Sequence, residues 1–249
     1  MEEYTVSNMQ ELFDAVSEIK VTHPVIWFRG LSKISYKLEP SIYRSPYNAK
    51  KHEAQLLGRF KSLSPSYLKS IPQDDWQWLF LMQHYGIPTR LMDWTESPII
   101  ALIFALHKIE CTAPTEDACI YGLDPIVLNK NVKGFVFNDN NPIPFIGLEQ
   151  ERLFGTLNDT VSNLPLAIIG PHNNSRIIAQ KGTFTIFPHT LFGGNGLTDV
   201  PEKDDFLVKL ILDKNSLVKM KKNLEDAKLT YNGLFPELNS IADDVKKMI

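Results

Sequence analysis

Apolar positions recur at helical spacing near the start of the chain. Leu12, Phe13, Val16 and Ile19 follow Ser7 and Gln10, which predicts a capped amphipathic helix. His23-Pro24 ends it, because proline lacks a donor and restricts the residue before it. Val25-Ile26-Trp27-Phe28-Arg29 is a β-type run closed by Gly30, a strand leading into a turn. The pattern then breaks from Leu31 to Lys51, where Pro40 and Pro46 interrupt, and returns with Ala54, Leu57 and Phe60 as a helix over 52–63. Asp74 and Asp75 suit the positive end of a helix running to Tyr85, and Gly86 offers it a left-handed stop. Residues 87–95 read as a loop, and 97–106, apolar on most faces, as a buried helix.

The second half changes character. Runs at 119–123, 166–169, 176–180, 183–187 and 206–212 read as strands, with Gly182 marking a tight hairpin or a bulge. Residues 214–224 and 236–248 read as terminal helices. Helices concentrated early and strands late, without regular β-α-β alternation, predict an α+β fold with a helical N-terminal half packed on a small mixed or antiparallel sheet. No composition shift cuts the chain, so one domain is expected over 1–249, with a core at about 20–213 and a C-terminal helical extension over 214–249.

Composition narrows the partners. The 249 residues hold 26 Lys plus Arg against 29 Asp plus Glu, a formal net charge of -3, which argues against binding nucleic acid or a membrane through bulk charge. Met1 to Glu11 is polar and acidic, without the cationic-then-apolar order of a secretory signal, and the most apolar run, 99–106, is too short to span a bilayer. Cys111 and Cys119 fit no metal spacing, and free thiols of a reducing cytosol are expected over a disulfide; the expected compartment is the cytoplasm. No phosphate loop, dinucleotide-binding glycine turn, paired-cysteine zinc spacing, His-Glu-x-x-His or nucleophile elbow occurs.

The densest polar cluster in an apolar setting is Gln83-His84-Tyr85-Gly86-Ile87-Pro88-Thr89-Arg90-Leu91-Met92-Asp93-Trp94-Thr95. A loop pinned between buried helices is where binding groups tend to sit, but Arg90 and Asp93 pairing with each other would serve the fold equally. Arg29, ending an apolar strand before Gly30, presents either a guanidinium fork for a phosphate or carboxylate, or a salt bridge to Glu53 or Asp93. Arg176, Gln180 and Thr185 would alternate along a hairpin.

Together these segments resemble the FRG domain, a family of mostly bacterial and phage-associated proteins named for its Phe/Tyr-Arg-Gly motif. The matching residues are Trp27-Phe28-Arg29-Gly30, Leu38-Glu39-Pro40-Ser41 with Arg44, Glu53, Trp78-Leu79, the run Gln83–Thr95, Ala101 and Phe104-Ala105. Arg176, Gln180, Gly182 and Phe184 look like a later family segment, and Phe235-Pro236 with Leu238 like its closing motif. Members often carry Gln after the Phe-Arg-Gly motif and Leu before Asp-Trp; here Leu31 and Met92 stand there, which removes one polar group.

Two functions are expected from this set. One is an NAD- or nucleotide-handling enzyme similar to ADP-ribosyltransferases, set in phage defence, with NAD as substrate and Arg29, His84, Asp93 and Glu202 as catalytic groups. In it Arg29 neutralises pyrophosphate, Thr183 or Thr185 orients the acid, and the carboxylate stabilises an oxocarbenium-like transition state. The other is a non-catalytic sensing module for a small anionic ligand such as a nucleotide. Its binding residues are Gly30, Glu53, Tyr85, Thr89, Arg90, Trp94, Arg176, Gln180 and Thr183, and no metal site is expected.

Overall fold

The computed structural model describes residues 1–44, 46, 49–109, 114–133, 135–145, 154, 162, 164–171, 175–189, 196–200, 202–235, 242 and 245, with backbone only at 49, 50, 175 and 176. The centre is a seven-stranded mixed sheet in the order β1-β7-β4-β2-β3-β6-β5. Its strands are β1 (Glu2–Val6), β2 (Trp27–Leu31), β3 (Leu91–Thr95), β4 (Ala118–Leu123), β5 (Leu166–Ile168), β6 (Gly182–Ile186) and β7 (Leu207–Leu212). β1 runs parallel to β7, and every other pairing is antiparallel.

Apolar side chains line both faces of this sheet. Along β4 the alternation sends Ala118 and Ile120 to one core and Cys119, Tyr121 and Leu123 to the other, and all six residues of the strand are buried. The first face is covered by α1 (Met9–Thr22), α4 (Pro98–Leu106) and α8 (Leu217–Asp226). The second face is covered by α3 (Asp75–His84), α5 (Pro125–Lys130) and α7 (Lys203–Phe206). The helix α2 (Ala49–Leu63) adds a small satellite core in which Leu57 meets Trp78 and Met82 of α3.

The class is α+β, as the pattern predicts, and the sheet is larger than a small one because three of its strands lie in the first hundred residues. β1 escapes the pattern because its side chains are mostly exposed; its order comes from five paired positions along β7. β3 takes the place of the predicted loop at 91–95, since a five-position ladder to β6 overrides an Arg and an Asp that read as loop polarity. The segment predicted as a strand at 176–180 is instead α6 (Ser175–Ala179), which buries Ile177 and leaves Ile178 exposed. No hairpin forms at Gly182; Lys181 takes the left-handed conformation with φ 45° and the chain enters β6 from a helix.

The helix ends show their chemistry plainly. Asn8, not Ser7, caps α1, its side-chain oxygen accepting the Glu11 amide at 3.0 Å. Asp74 caps α3 by accepting the Gln77 amide, and Ser97 caps α4. At the other end of α3, Gly86 sits at φ +73° and the Ile87 amide reaches back to the Met82 carbonyl, a glycine-terminated stop. Cys119 is buried as a free thiol whose pKa burial pushes up to about 12, while Cys111 and the predicted helix at 236–248 fall outside the described residues, apart from 242 and 245. No helix among the described residues is long and apolar enough to cross a membrane.

Candidate functional site

Between β2 and β3 the sheet is open. The two strands share a single paired position, Phe28 with Thr95, although β2 continues to Leu31 along β4 and β3 continues back to Leu91 along β6. Arg29 bridges this split by donating from Nη1 to the Asp93 backbone carbonyl, so a side chain supplies what a ladder bond would have supplied. Desolvation is the largest influence on the Arg29 guanidinium and lowers its pKa from the usual arginine value; the Asp93 carboxylate opposes that and Arg44 adds to it. The group stays cationic.

The split opens into a cleft with two main lobes. The inner lobe, about 130 Å³, is lined by β2, β3, Ala101 and Phe104 of α4, and Gln180. The outer lobe, about 380 Å³, extends from Arg29 and Gly30 over Tyr36, Lys37, Glu39 and Arg44 to Phe104, His107 and Lys108. A narrow recess behind the inner lobe reaches Gln83, His84, Gly182 and Phe184 and shares Asp93, Trp94 and Gln180 with it.

Asp93 is held by a directional chain of hydrogen bonds. The Leu91 amide donates to Thr89 Oγ1 at 3.1 Å, so the Thr89 hydroxyl hydrogen goes to Gln83 Oε1 at 2.6 Å. That orients the Gln83 amide, whose Nε2 donates to Asp93 Oδ2 at 2.6 Å. Asp93 is exposed despite this hold, and its Oδ1 has no partner among the described residues. Gln83 is therefore the residue that positions the carboxylate. Gln83→Ala should leave the melting temperature within a few degrees of wild type and weaken ligand binding about tenfold, the scale of one charge-assisted hydrogen bond. Unchanged affinity by calorimetry would remove Gln83 from the site.

The sequence-named residues divide into two groups. Arg29, Gly30, His84, Asp93, Trp94 and Gln180 line the cleft. Arg90 and Glu53 do not: both are fully buried, with Arg90 Nε on Glu53 Oε2 at 2.6 Å, Nη1 on the Phe187 carbonyl at 3.0 Å and Nη2 on the Phe154 carbonyl at 2.8 Å. The expected Arg90–Asp93 pair is replaced by Arg90–Glu53. Thr89 is buried and serves Gln83, while Tyr85, 62% exposed, caps α3 and packs edge-on against His84. Trp94 is 3% exposed and donates from Nε1 to Thr185 Oγ1 at 3.0 Å, so it walls the cleft with little face to offer. Thr183 is buried opposite Trp94, Arg176 is placed on α6 by its backbone, and Glu202 stands just before α7, outside the residues lining the cleft.

Sequence reasoning missed Lys37 and Lys108, which look like ordinary solvated charges until the loop at 37–44 folds beside the end of α4. Glu39 and Arg44 stood inside the family-like segment but carried no spacing that singled them out. Gln83 lay within the polar run at 83–95, with nothing in its spacing to set it apart. Among the described residues, no group of three or more His, Cys, Asp and Glu could hold a metal ion.

A seven-stranded α+β domain split at a strand pair, with an aromatic-Arg-Gly strand on one lip and an Asp-Trp strand on the other, defines the class of site. Residues 24–113 match the family model of the FRG domain. Both lips of the split, α4 and the Arg90–Glu53 pair lie within those residues, whereas α6, β6 and Gln180 lie beyond them. No curated protein and no solved structure matches the chain.

Proposed function

We propose that the cleft binds a phosphate-bearing small molecule of the nucleotide class. The observation that carries this reading is the outer lobe, where Arg29, Lys37, Arg44 and Lys108 face one carboxylate, Glu39, in a protein of formal net charge -3. Glu39 lies 3.9 Å from Arg44 and offsets part of that cation, leaving the others for an anion. Arg29 lines both lobes, so its remaining N–H groups stand where a phosphate oxygen would pass from one to the other. Calorimetry with ADP at low ionic strength tests this. Binding should weaken as salt is raised, and Arg29→Ala should weaken it about tenfold to a hundredfold, the scale of one to two charge-assisted hydrogen bonds. Equal affinity in wild type and Arg29→Ala, or no uptake of ADP, would reject the reading.

A second reading adds chemistry at the same place. Asp93, held by Gln83 beside Arg29 and close to His84, is the carboxylate that would face a developing oxocarbenium ion in an NAD-handling reaction similar to that of ADP-ribosyltransferases. The position of Glu202 away from the cleft moves that role to Asp93. From the family resemblance, its setting is phage defence. Nicotinamide release from NAD that disappears in Asp93→Asn supports the enzyme, and ADP binding without turnover of NAD supports the binding module alone.

A further inference from the structure

The two lobes ask for opposite chemistry, and that restricts the ligand further than its charge. Apart from the Arg29 N–H groups at the junction of the lobes and the Thr95 hydroxyl, the side-chain polar atoms left over in the inner lobe are acceptors. Asp93 spends Oδ2 on Gln83 and keeps Oδ1, and an ionised carboxylate only accepts. Gln180 spends Nε2 on the Leu234 carbonyl at 3.4 Å, which fixes its amide orientation and leaves Oε1 without a partner among the described residues. The indole N–H of Trp94 is already given to Thr185. Ala101, Phe104 and Phe28 make the remaining wall apolar. A group entering this lobe must bring hydrogen-bond donors on a small, partly apolar frame. Its volume of about 130 Å³ takes one small ring and no more. The outer lobe, joined to it at Arg29, asks instead for an anion.

We propose that the inner lobe is a hydroxyl-reading subsite for the sugar of a sugar phosphate. The hydroxyls donate to Asp93 Oδ1 and Gln180 Oε1, while the phosphate sits on Arg29 and the cations beyond it. This rests on the phosphate reading above and adds the identity of the group at the other end of the ligand. An ammonium group would satisfy the same acceptors, but next to Arg29 it would meet like charge, whereas hydroxyls meet none.

Competition calorimetry with ribose 5-phosphate, 2-deoxyribose 5-phosphate and inorganic phosphate separates the parts. Ribose 5-phosphate should bind at least about tenfold tighter than the 2-deoxy sugar, because one hydroxyl–carboxylate bond is lost and an acceptor is left unpaired. Asp93→Asn and Gln180→Ala, each checked by thermal melting for an intact fold, should shrink that preference toward parity. Equal binding of the two sugar phosphates to wild type overturns the subsite and leaves the phosphate reading standing. Absence of binding by all three probes overturns both, and a preference that survives in Asp93→Asn assigns the reading of the hydroxyls to other groups and overturns the role given to Asp93.

Discussion

Replacing Arg90 by alanine is expected to destabilise the protein by about 3–5 kcal/mol, the cost of leaving a buried ionic partner uncompensated. Glu53 would then sit in the core with no exposed surface and, among the described residues, with only the position-90 amide at 3.2 Å and the more distant His189 ring at 3.7 Å. The Phe187 and Phe154 carbonyls would lose their donors as well. For a chain of this length the loss corresponds to a drop in melting temperature on the order of 10 °C, measurable by calorimetry or far-ultraviolet circular dichroism. Arg90→Lys should also destabilise, since a single ammonium cannot reproduce a planar fork with three partners. These contacts tie α2, the start of β3 and the segment after β6 together, so the arginine organises the core without lining the cleft. A variant that kept its melting temperature and lost only ligand binding would contradict this assignment and return Arg90 to the site.

Gly30→Ala should be the other severe substitution. A Cβ at Gly30 would lie 1.9 Å from the Ala101 carbonyl oxygen and 2.7 Å from the Ala105 nitrogen. Both are backbone atoms of α4, so no side chain can rotate away and the helix itself must retreat. Overpacking of this kind costs about 3 kcal/mol. α4 is apolar and buried along most of its length, with Ala101 and Ala105 completing the close approach, so the cost falls on the first core. Phe104 rides on the same helix and lines both lobes, so displaced α4 should also weaken ligand binding. A lowered melting point together with weaker ADP binding is the expected outcome. Unchanged melting with weaker binding would mean that the glycine serves the ligand and not the helix.

The aromatic-Arg-Gly motif therefore joins two duties in neighbouring residues. Gly30 admits α4 to the strand, and Arg29 closes the gap that the split between β2 and β3 leaves at Asp93. The Gln83–Thr95 run divides the same way: Thr89, Gln83 and Asp93 form a chain toward the cleft, while Arg90 and Trp94 face inward to Glu53 and Thr185. Adjacent residues on a strand point to opposite sides, which is how one short motif serves both a core and a site.

Much of the architecture is local and was legible without a structure. Helical spacing located α1 and α2, terminal acids and the glycine stop located α3, an all-round apolar run located α4, and the apolar runs at 119–123 and 206–212 make strands because both faces of the sheet are covered. The match to the FRG domain model over residues 24–113 was legible in the same way, from residues close together in the chain. What the chain order could not convey was pairing. β1 and β3 are strands because β7 and β6 lie beside them, and 175–179 is a helix despite two isoleucines because Ile177 finds a core contact there. The site follows the same division. Residue chemistry marked Arg29, Asp93 and Gln180 as polar groups in apolar surroundings, but it takes the folded chain to bring them to one cleft, to pair Arg90 with Glu53 in the core, and to set Lys37 and Lys108 on the rim. A residue type specifies a charge and a reach; which charge meets which depends on long-range strand register and helix packing, and these are set by the whole core at once.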